Sequence, residues 1–412
     1  MKVRVISIAE TLEEGQKVTA VALKYPEQIA AGSVSGEMFS VPGRSITRCY
    51  VNDSGGKGDV QNRGSYVMLE LAVDPVPGSP VGSTLLYANQ SNHRLPICLS
   101  VVQKRNISAL GGMQLPAGSF VNTEECNLEV DGIFGAHTYQ NMHHGTTLDY
   151  RLFEPKDRQE ALPLVVFLHG AGERGDNNIT QLLANRSALE WATPAAQAAH
   201  PCYVLAPQCP LDTSWAVNVG TKEEPVYEAS YALKNVLNVI HELIELHNID
   251  TSRIYGTGLS MGSMGTFMLA MDEPTLYAAL LTVCGARTYQ DKQVKKLLNK
   301  PIWGFIAADD MPPLVEGMRR TFKQLEELGS VAAKQVGDEA WNGFLRGEKA
   351  DTAAIRQLAK AEALGADILY TEYIPGTILP NGHLSWMQVY STNAVREWVF
   401  SQKNKAPYRP AK

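Results

Sequence analysis

Residues 253–266, RIYGTGLSMGSMGT, constrain this chain more than any other stretch. Residues 252–257 read as a short strand, Gly258-Leu259-Ser260-Met261-Gly262 as a tight GxSxG turn, and the run to Met271 as a helix. A strand that turns into a helix over so few residues leaves almost no room for side chains beside the serine. Gly258 and Gly262 meet that need. The turn lifts Ser260 Oγ above the end of a sheet, where a base can reach it, and aims the Met261 N–H at the same spot. The plainer alternative is a glycine-rich turn with a bystander serine. With 34 glycines in 412 residues a chance GxSxG is not rare, so the rest of the chain must decide.

The length exceeds one ordinary domain and predicts two. An apolar share of 44% with 19% charged residues fits globular domains with a sizeable core. A net charge of −6 without a basic block argues against nucleic acid as the main partner. No apolar run reaches the length of a membrane span. The opening MKVRVISIAETLEEG lacks the apolar stretch of a signal peptide, so secretion would require a leader already removed and the compartment stays open. Six cysteines (Cys49, Cys98, Cys126, Cys202, Cys209 and Cys284) show no CxxC pair or metal spacing. Cys284, in an apolar run, reads as a buried thiol. No metal or organic cofactor is expected.

Residues 1–129 alternate in short bursts (KVTAVALKY, SITRCYVND, YVMLELAVD, LPICLSVVQ) separated by Gly, Pro, Asn and Ser, the pattern of an all-β sandwich. Gly55 to Gly58 lacks the strand–loop–helix context of a phosphate cradle, and His93 reads as a surface residue. Two sequons, at Asn52 and Asn106, carry no weight without secretion. Residues 130–147 mix Gly, His and polar residues without a period, which suits a linker or a strand leading into the next domain. Adjacent His143 and His144 point in different directions on an extended chain and have no acid or cysteine partner nearby, so they do not read as metal ligands.

Residues 148–412 alternate strands with helices, which predicts an α/β domain: a mostly parallel sheet with helices on both faces. LPLVVFLHG at 162–170 is the continuous apolar run of a strand buried on both faces. Helices are expected over 181–193, 225–247, 314–328 and 386–401, and strands over 202–206, 277–283, 301–308 and 368–373.

Chemistry-bearing residues gather at strand ends. His169-Gly170-Ala171-Gly172-Glu173-Arg174-Gly175 begins where a buried strand stops, and a Gly-rich loop there can aim N–H groups at a developing oxyanion. The alternative is a simple turn with a Glu173–Arg174 surface pair. Asp309-Asp310 follows another strand, and His383 lies in PNGHLSW before the last helix. Ser260, Asp310, His383 is the chain order of the α/β-hydrolase triad. His241 and His247 lie on or at the end of a long helix before the serine and read as solvated.

HGAGERGDN, APQCP followed by Ser214-Trp215, RIYGTGLSMG and GHLSW together resemble two-domain bacterial esterases related to polyhydroxybutyrate depolymerases, some labelled predicted peptidases. The opening segment resembles the immunoglobulin-like domain that precedes the α/β-hydrolase in that group, so the resemblance covers most of the chain. It implies Ser260 as nucleophile, His383 as base, Asp310 as acid, and Ala171 and Met261 as oxyanion donors. The chain departs from the group in having Phe305-Ile306 where Phe-His often precedes the acid, and in a polar segment inserted at 331–367.

The resulting expectation is a serine carboxylesterase acting on small-molecule esters through an acyl-enzyme. The alternatives are a peptidase or polyester depolymerase with the same triad, or a binding protein with a silent hydrolase domain. Trp215 is expected to wall the acyl site, with core packing as the alternative. The helix within the insertion is expected near the site mouth as a cap, with peripheral decoration as the alternative. Asp309 is expected to cap the following helix. The first domain, which has no acid–base cluster, is expected to serve assembly of a homo-oligomer, substrate presentation or shielding.

Overall fold

The computed structural model describes residues 3–156 and 159–410. The chain divides into two compact units, Met1–Ala88 with His93–Gly132 and Asn89–Asn92 with Ile133–Lys412. In the first, alternating apolar residues build two larger sheets beside short two-stranded pairs. Arg4–Leu12, Gly15–Ala30, Arg63–Leu71 and Ile46–Asn52 pair antiparallel in that order, and Glu124–Asn127 joins the free side of Arg4–Leu12 in parallel. Gly118–Val121, Ser100–Gln103 and Phe39–Ser40 form the second sheet. Val21, Leu23 and Val67 from one sheet share a buried core with Phe39 and Val101 from the other. Within it Tyr25 donates its hydroxyl to Gln103 Oε1 at 2.6 Å, so these two polar groups are paired inside the core.

The second unit is built on nine strands: β1 (Phe134–Asn141), β2 (Thr146–Phe153), β3 (Leu162–Leu168), β4 (Tyr203–Pro207), β5 (Ile249–Leu259), β6 (Ala279–Val283), β7 (Ile302–Ala307), β8 (Ala332–Gln335) and β9 (Ile368–Tyr373). They lie in the order β1-β2-β4-β3-β5-β6-β7-β9-β8. β1, β2 and β4 pair antiparallel, and from β4 onward every pairing is parallel. β6, β7 and β9 are buried at every residue; β7 accordingly reads as an unbroken apolar run, while β9 carries Thr371 and Glu372 into the buried sheet. Helix α1 (Tyr231–Leu246) buries Leu233, Val236, Ile240 and Leu243 along one stripe, and Ser230 caps it by accepting the Leu233 N–H at 3.2 Å. Helix α2 (Met261–Asp272) is buried at all but its last residue, so it lies inside the fold, and helix α3 (Pro312–Glu327) follows β7. Among the described residues no helix is long and apolar enough to cross a membrane.

Several expected elements differ, each for a local reason. The helix expected over 181–193 is a single turn, Thr180–Leu183, and a 3-10 turn, Leu189–Trp191. Asn185 Oδ1 takes the Ser187 N–H between them, an Asx turn that competes with the helix ladder. The start of the helix expected from 225 is instead strand, Tyr227–Ala229, paired with Ala216–Asn218. The closing helix is split into Trp386–Ser391 and Asn393–Ser401 at Thr392, whose hydroxyl donates to the Gln388 carbonyl at 2.7 Å. The segment 130–147 is mostly strand, since β1 and the start of β2 form a hairpin on the edge of the sheet.

The inserted segment at 331–367 is a correction of more consequence. It supplies β8, the outermost strand, paired in parallel with β9, and helix α4 (Glu348–Leu364) between them. α4 buries Ala350, Ala354, Gln357 and Ala361, not Ile355, which stays exposed. Gln357 donates to the carbonyls of Ala333 and Tyr370, on β8 and β9, and accepts from the Thr371 hydroxyl. The helix is thus bonded to the sheet as a structural βα unit and is no cap.

Candidate active site

Ser260 sits between β5 and α2 with φ 53° and ψ −118°, a left-handed conformation for a non-glycine residue. Such a conformation costs on the order of 1–3 kcal/mol and persists only where the surroundings enforce it. The surroundings do so. A Cβ at Gly262 would stand 1.8 Å from the Leu168 carbonyl oxygen, and one at Gly258 would stand 2.5 Å from the Gly262 carbonyl carbon. The serine N–H is fixed to Val283 O at 2.8 Å. These approaches press the end of β3, the turn and the start of α2 together, so any side chain at 258 or 262 would open the elbow.

The other residues arrive on separate strand ends. Asp310 follows β7 and His383 lies in the loop after β9. His383 Nε2 stands 3.1 Å from Ser260 Oγ, and Nδ1 stands 2.9 and 3.0 Å from the two Asp310 oxygens. Since a carboxylate only accepts, Nδ1 carries the proton and Nε2 faces the serine free to accept. The Asp310 side chain is fully enclosed and also accepts the Met311 N–H at 2.6 Å. Asp309 is exposed and turned the other way. It does not cap the next helix, whose cap position is Met311. Its Oδ2 instead accepts the Gly376 N–H at 2.7 Å and so ties down the loop that carries His383.

The loop after β3 is organised around His169. Its Nε2 accepts the Cys209 N–H at 2.9 Å, so Nδ1 bears the proton and donates to Gly170 O at 2.6 Å. Full burial pushes this imidazole down to about 4, and it stays neutral. Trp215, expected as a wall of the acyl site, has no exposed surface and donates its indole N–H to His169 O at 3.0 Å. Its Cβ lies against Gly265 of α2, so it is a pillar beneath the loop. Ala171 opens a one-turn 3-10 helix and Met261 opens α2. First-position N–H groups have no acceptor within their helix, which leaves both available to a ligand.

Two further residues lie near Ser260, neither of them placed at the site by sequence: Glu173 and the buried thiol Cys284. Glu173 makes no surface pair with Arg174: it is buried, while the arginine turns to the carbonyls of Ala171 and Thr213. Its position in the loop directly after a buried strand was the only available signal. Cys284 follows β6 with φ 47°, and its sulfur lies with ligand-type atoms of Asp310 and His383 inside 4.8 Å. Burial holds its thiol well above the usual range, and both nitrogens of His383 are already engaged, so this trio is not arranged as a metal site. All six cysteines are free.

Residues 4–116 match the esterase Ig-like N-terminal domain family. Over nearly its whole length the chain is similar to a thermostable esterase of known crystal structure, with 34% identity and a TM-score of 0.82, covering 97% of this chain and 99% of that one. A Pyrococcus horikoshii acylaminoacyl peptidase stands at 13% identity and a TM-score of 0.42 over 77% of this chain and 49% of its own. An S-formylglutathione hydrolase from Agrobacterium tumefaciens stands at 12% and 0.39 over 65% and 95%. Likenesses this remote carry no argument about the present site. No curated protein matches the sequence. The first unit is an immunoglobulin-like sandwich and the second an α/β-hydrolase. The chain is a serine hydrolase and belongs to the family of esterases in which an immunoglobulin-like domain precedes an α/β-hydrolase domain.

Proposed function

We propose that this protein is a carboxylesterase for small soluble esters, with Ser260, His383 and Asp310 as its triad. The reading rests chiefly on one observation, the continuous hydrogen-bonded line from Ser260 Oγ through His383 to the enclosed Asp310 carboxylate. His383 Nε2 takes the serine proton as Oγ attacks the ester carbonyl carbon. Negative charge on the carbonyl oxygen is met by the N–H groups of Ala171 and Met261. The intermediate collapses, the ester C–O bond breaks, and the imidazolium returns its proton to the departing alcohol. Water, deprotonated by the same imidazole, then attacks the acyl-enzyme and releases the acid. Asp310 holds the imidazole in the required tautomer and stabilises the imidazolium. Small esters are preferred over peptides because an alcohol leaves readily, whereas an amide requires a proton delivered to a poor leaving group and a cleft that holds an extended chain.

The test is turnover of p-nitrophenyl esters of rising acyl length by the full chain and by Ser260→Ala. The full chain should favour short acyl groups, and the variant should lose roughly 10⁴-fold or more in kcat while its circular dichroism is unchanged. Efficient cleavage of a peptide library with little turnover of acetyl or butyryl esters would reverse the substrate choice. Retained esterase activity in Ser260→Ala would remove the nucleophile assignment.

A further inference from the structure

Glu173 has no task in this mechanism, yet its placement demands one. Its carboxyl is buried at 6% exposure, and Oε2 has no hydrogen-bond partner. An unsatisfied buried polar atom costs about 1–3 kcal/mol and calls for an explanation. It lies beside the nucleophile: a Cβ built on Gly170 would be 3.1 Å from Glu173 Oε2 and 3.6 Å from Ser260 Cβ. Carboxyl and serine therefore flank one residue of the loop that offers the Ala171 N–H.

None of the neighbouring groups supplies a counter-ion at contact. His169 Nδ1 is 3.8 Å from Oε2, but its proton goes to Gly170 O and the ring is neutral. Arg174 points its guanidinium at backbone carbonyls. The Cys284 thiol, which feels both Glu173 and Asp310, stays protonated. Burial dominates and pushes the Glu173 carboxyl up to about 7, against the smaller pull of the Gly170 and Glu173 N–H groups and of charge on His383. A carboxyl enclosed without a cation is most stable neutral. A negative charge in its place would oppose the negative charge that develops on the substrate oxygen a short distance away.

We propose that Glu173 is a positioning residue of the oxyanion loop that works in its protonated form, and that its ionisation switches acylation off. Neutral, it holds the turn from Gly170 to Arg174 without opposing the oxyanion. Ionised, by loss of its proton to solvent, it raises the energy of the tetrahedral intermediate. The proposal rests on the triad reading above. It also implies a split between kinetic parameters, because bound ester removes further water from the loop and favours the neutral acid more strongly. The alkaline decline should therefore appear in kcat/KM near pH 7, and in kcat at higher pH.

The experiment compares pH profiles of the full-length protein and of Glu173→Gln, which keeps the shape and stays neutral at every pH. Wild type should lose about tenfold in kcat/KM for each pH unit beyond its midpoint. Glu173→Gln should lack that decline while its KM stays within about twofold of wild type at acidic pH, where both side chains are neutral. Infrared titration of the wild-type protein gives a second reading independent of the variant's folding. The carbonyl band of a protonated buried carboxyl should vanish with the same midpoint as the decline. A decline that survives in Glu173→Gln, a wild-type profile without one, or a carboxyl already ionised in fully active enzyme would each overturn the proposal. Fluorophosphonate labelling of Ser260 in both proteins separates the two readings, because labelled Glu173→Gln keeps the triad whatever its pH profile.

Discussion

At the scale of residues, the proposed triad gives two adjacent aspartates different tasks. Asp310 is enclosed and bonded to His383 Nδ1, whereas Asp309 is exposed and bonded to the Gly376 N–H. Replacing Asp310 with Asn places an amide where the imidazole must donate, which favours the wrong tautomer. Its kcat should fall by roughly 10⁴-fold with little change in KM. Asp309→Ala removes one acceptor at the surface and loosens the loop that carries the base, which costs about 1 kcal/mol. Its kcat should stay within about tenfold of wild type while its melting temperature drops. Parallel kinetics and melting of the two variants check this, and collapse of kcat in Asp309→Ala with a near-normal Asp310→Asn would invert the roles. Among the candidate site residues, Ser260 was marked by its GxSxG turn, Asp310 by its place just after the apolar run of β7, and His383, well beyond β9, by the Ser…Asp…His chain order. Glu173 was not, because nothing in HGAGERG distinguishes a carboxylate turned inward from one turned to water. Trp215 was misread for the same reason: burial is decided by α2 and the loop, both distant in sequence.

At the scale of elements, strong periodicity survived folding and weak periodicity did not. The apolar runs at 162–170, 277–283 and 301–308 became β3, β6 and β7, and the stripe of α1 became its buried face. Where side chains bond the backbone, as at Asn185 and Thr392, expected helices were interrupted. β8, with the sequence AAKQ, carries no apolar run at all, so its place at the sheet edge could not be read from the chain. That strand explains α4, which packs as the crossover between β8 and β9. Gln357→Leu should leave two carbonyls and the Thr371 hydroxyl short of a partner and destabilise the protein by about 2–3 kcal/mol. Because α4 is no cap, preference among ester chain lengths should be unchanged. Denaturant melts and an ester panel on this variant measure both, and a shifted chain-length preference at unchanged stability would return α4 to the site.

At the scale of the whole molecule, the order sandwich then hydrolase was legible because period-two bursts give way to alternating strands and helices near residue 150. The boundary was less so, since the polar hairpin of β1 and β2 has the composition of a linker yet pairs into the hydrolase sheet. What the larger unit accomplishes is to bring the ends of β3, β5, β7 and β9, spread over more than two hundred residues of chain, around one strained serine. The central claim is that Ser260 is the nucleophile of this arrangement. The most direct measurement is peptide mapping by mass spectrometry after reaction of the full-length protein with a fluorophosphonate. The account predicts a single phosphonyl adduct on the peptide containing Ser260, accumulating in step with the loss of esterase activity. Complete inactivation with the adduct on another residue, and Ser260 unmodified, would contradict it.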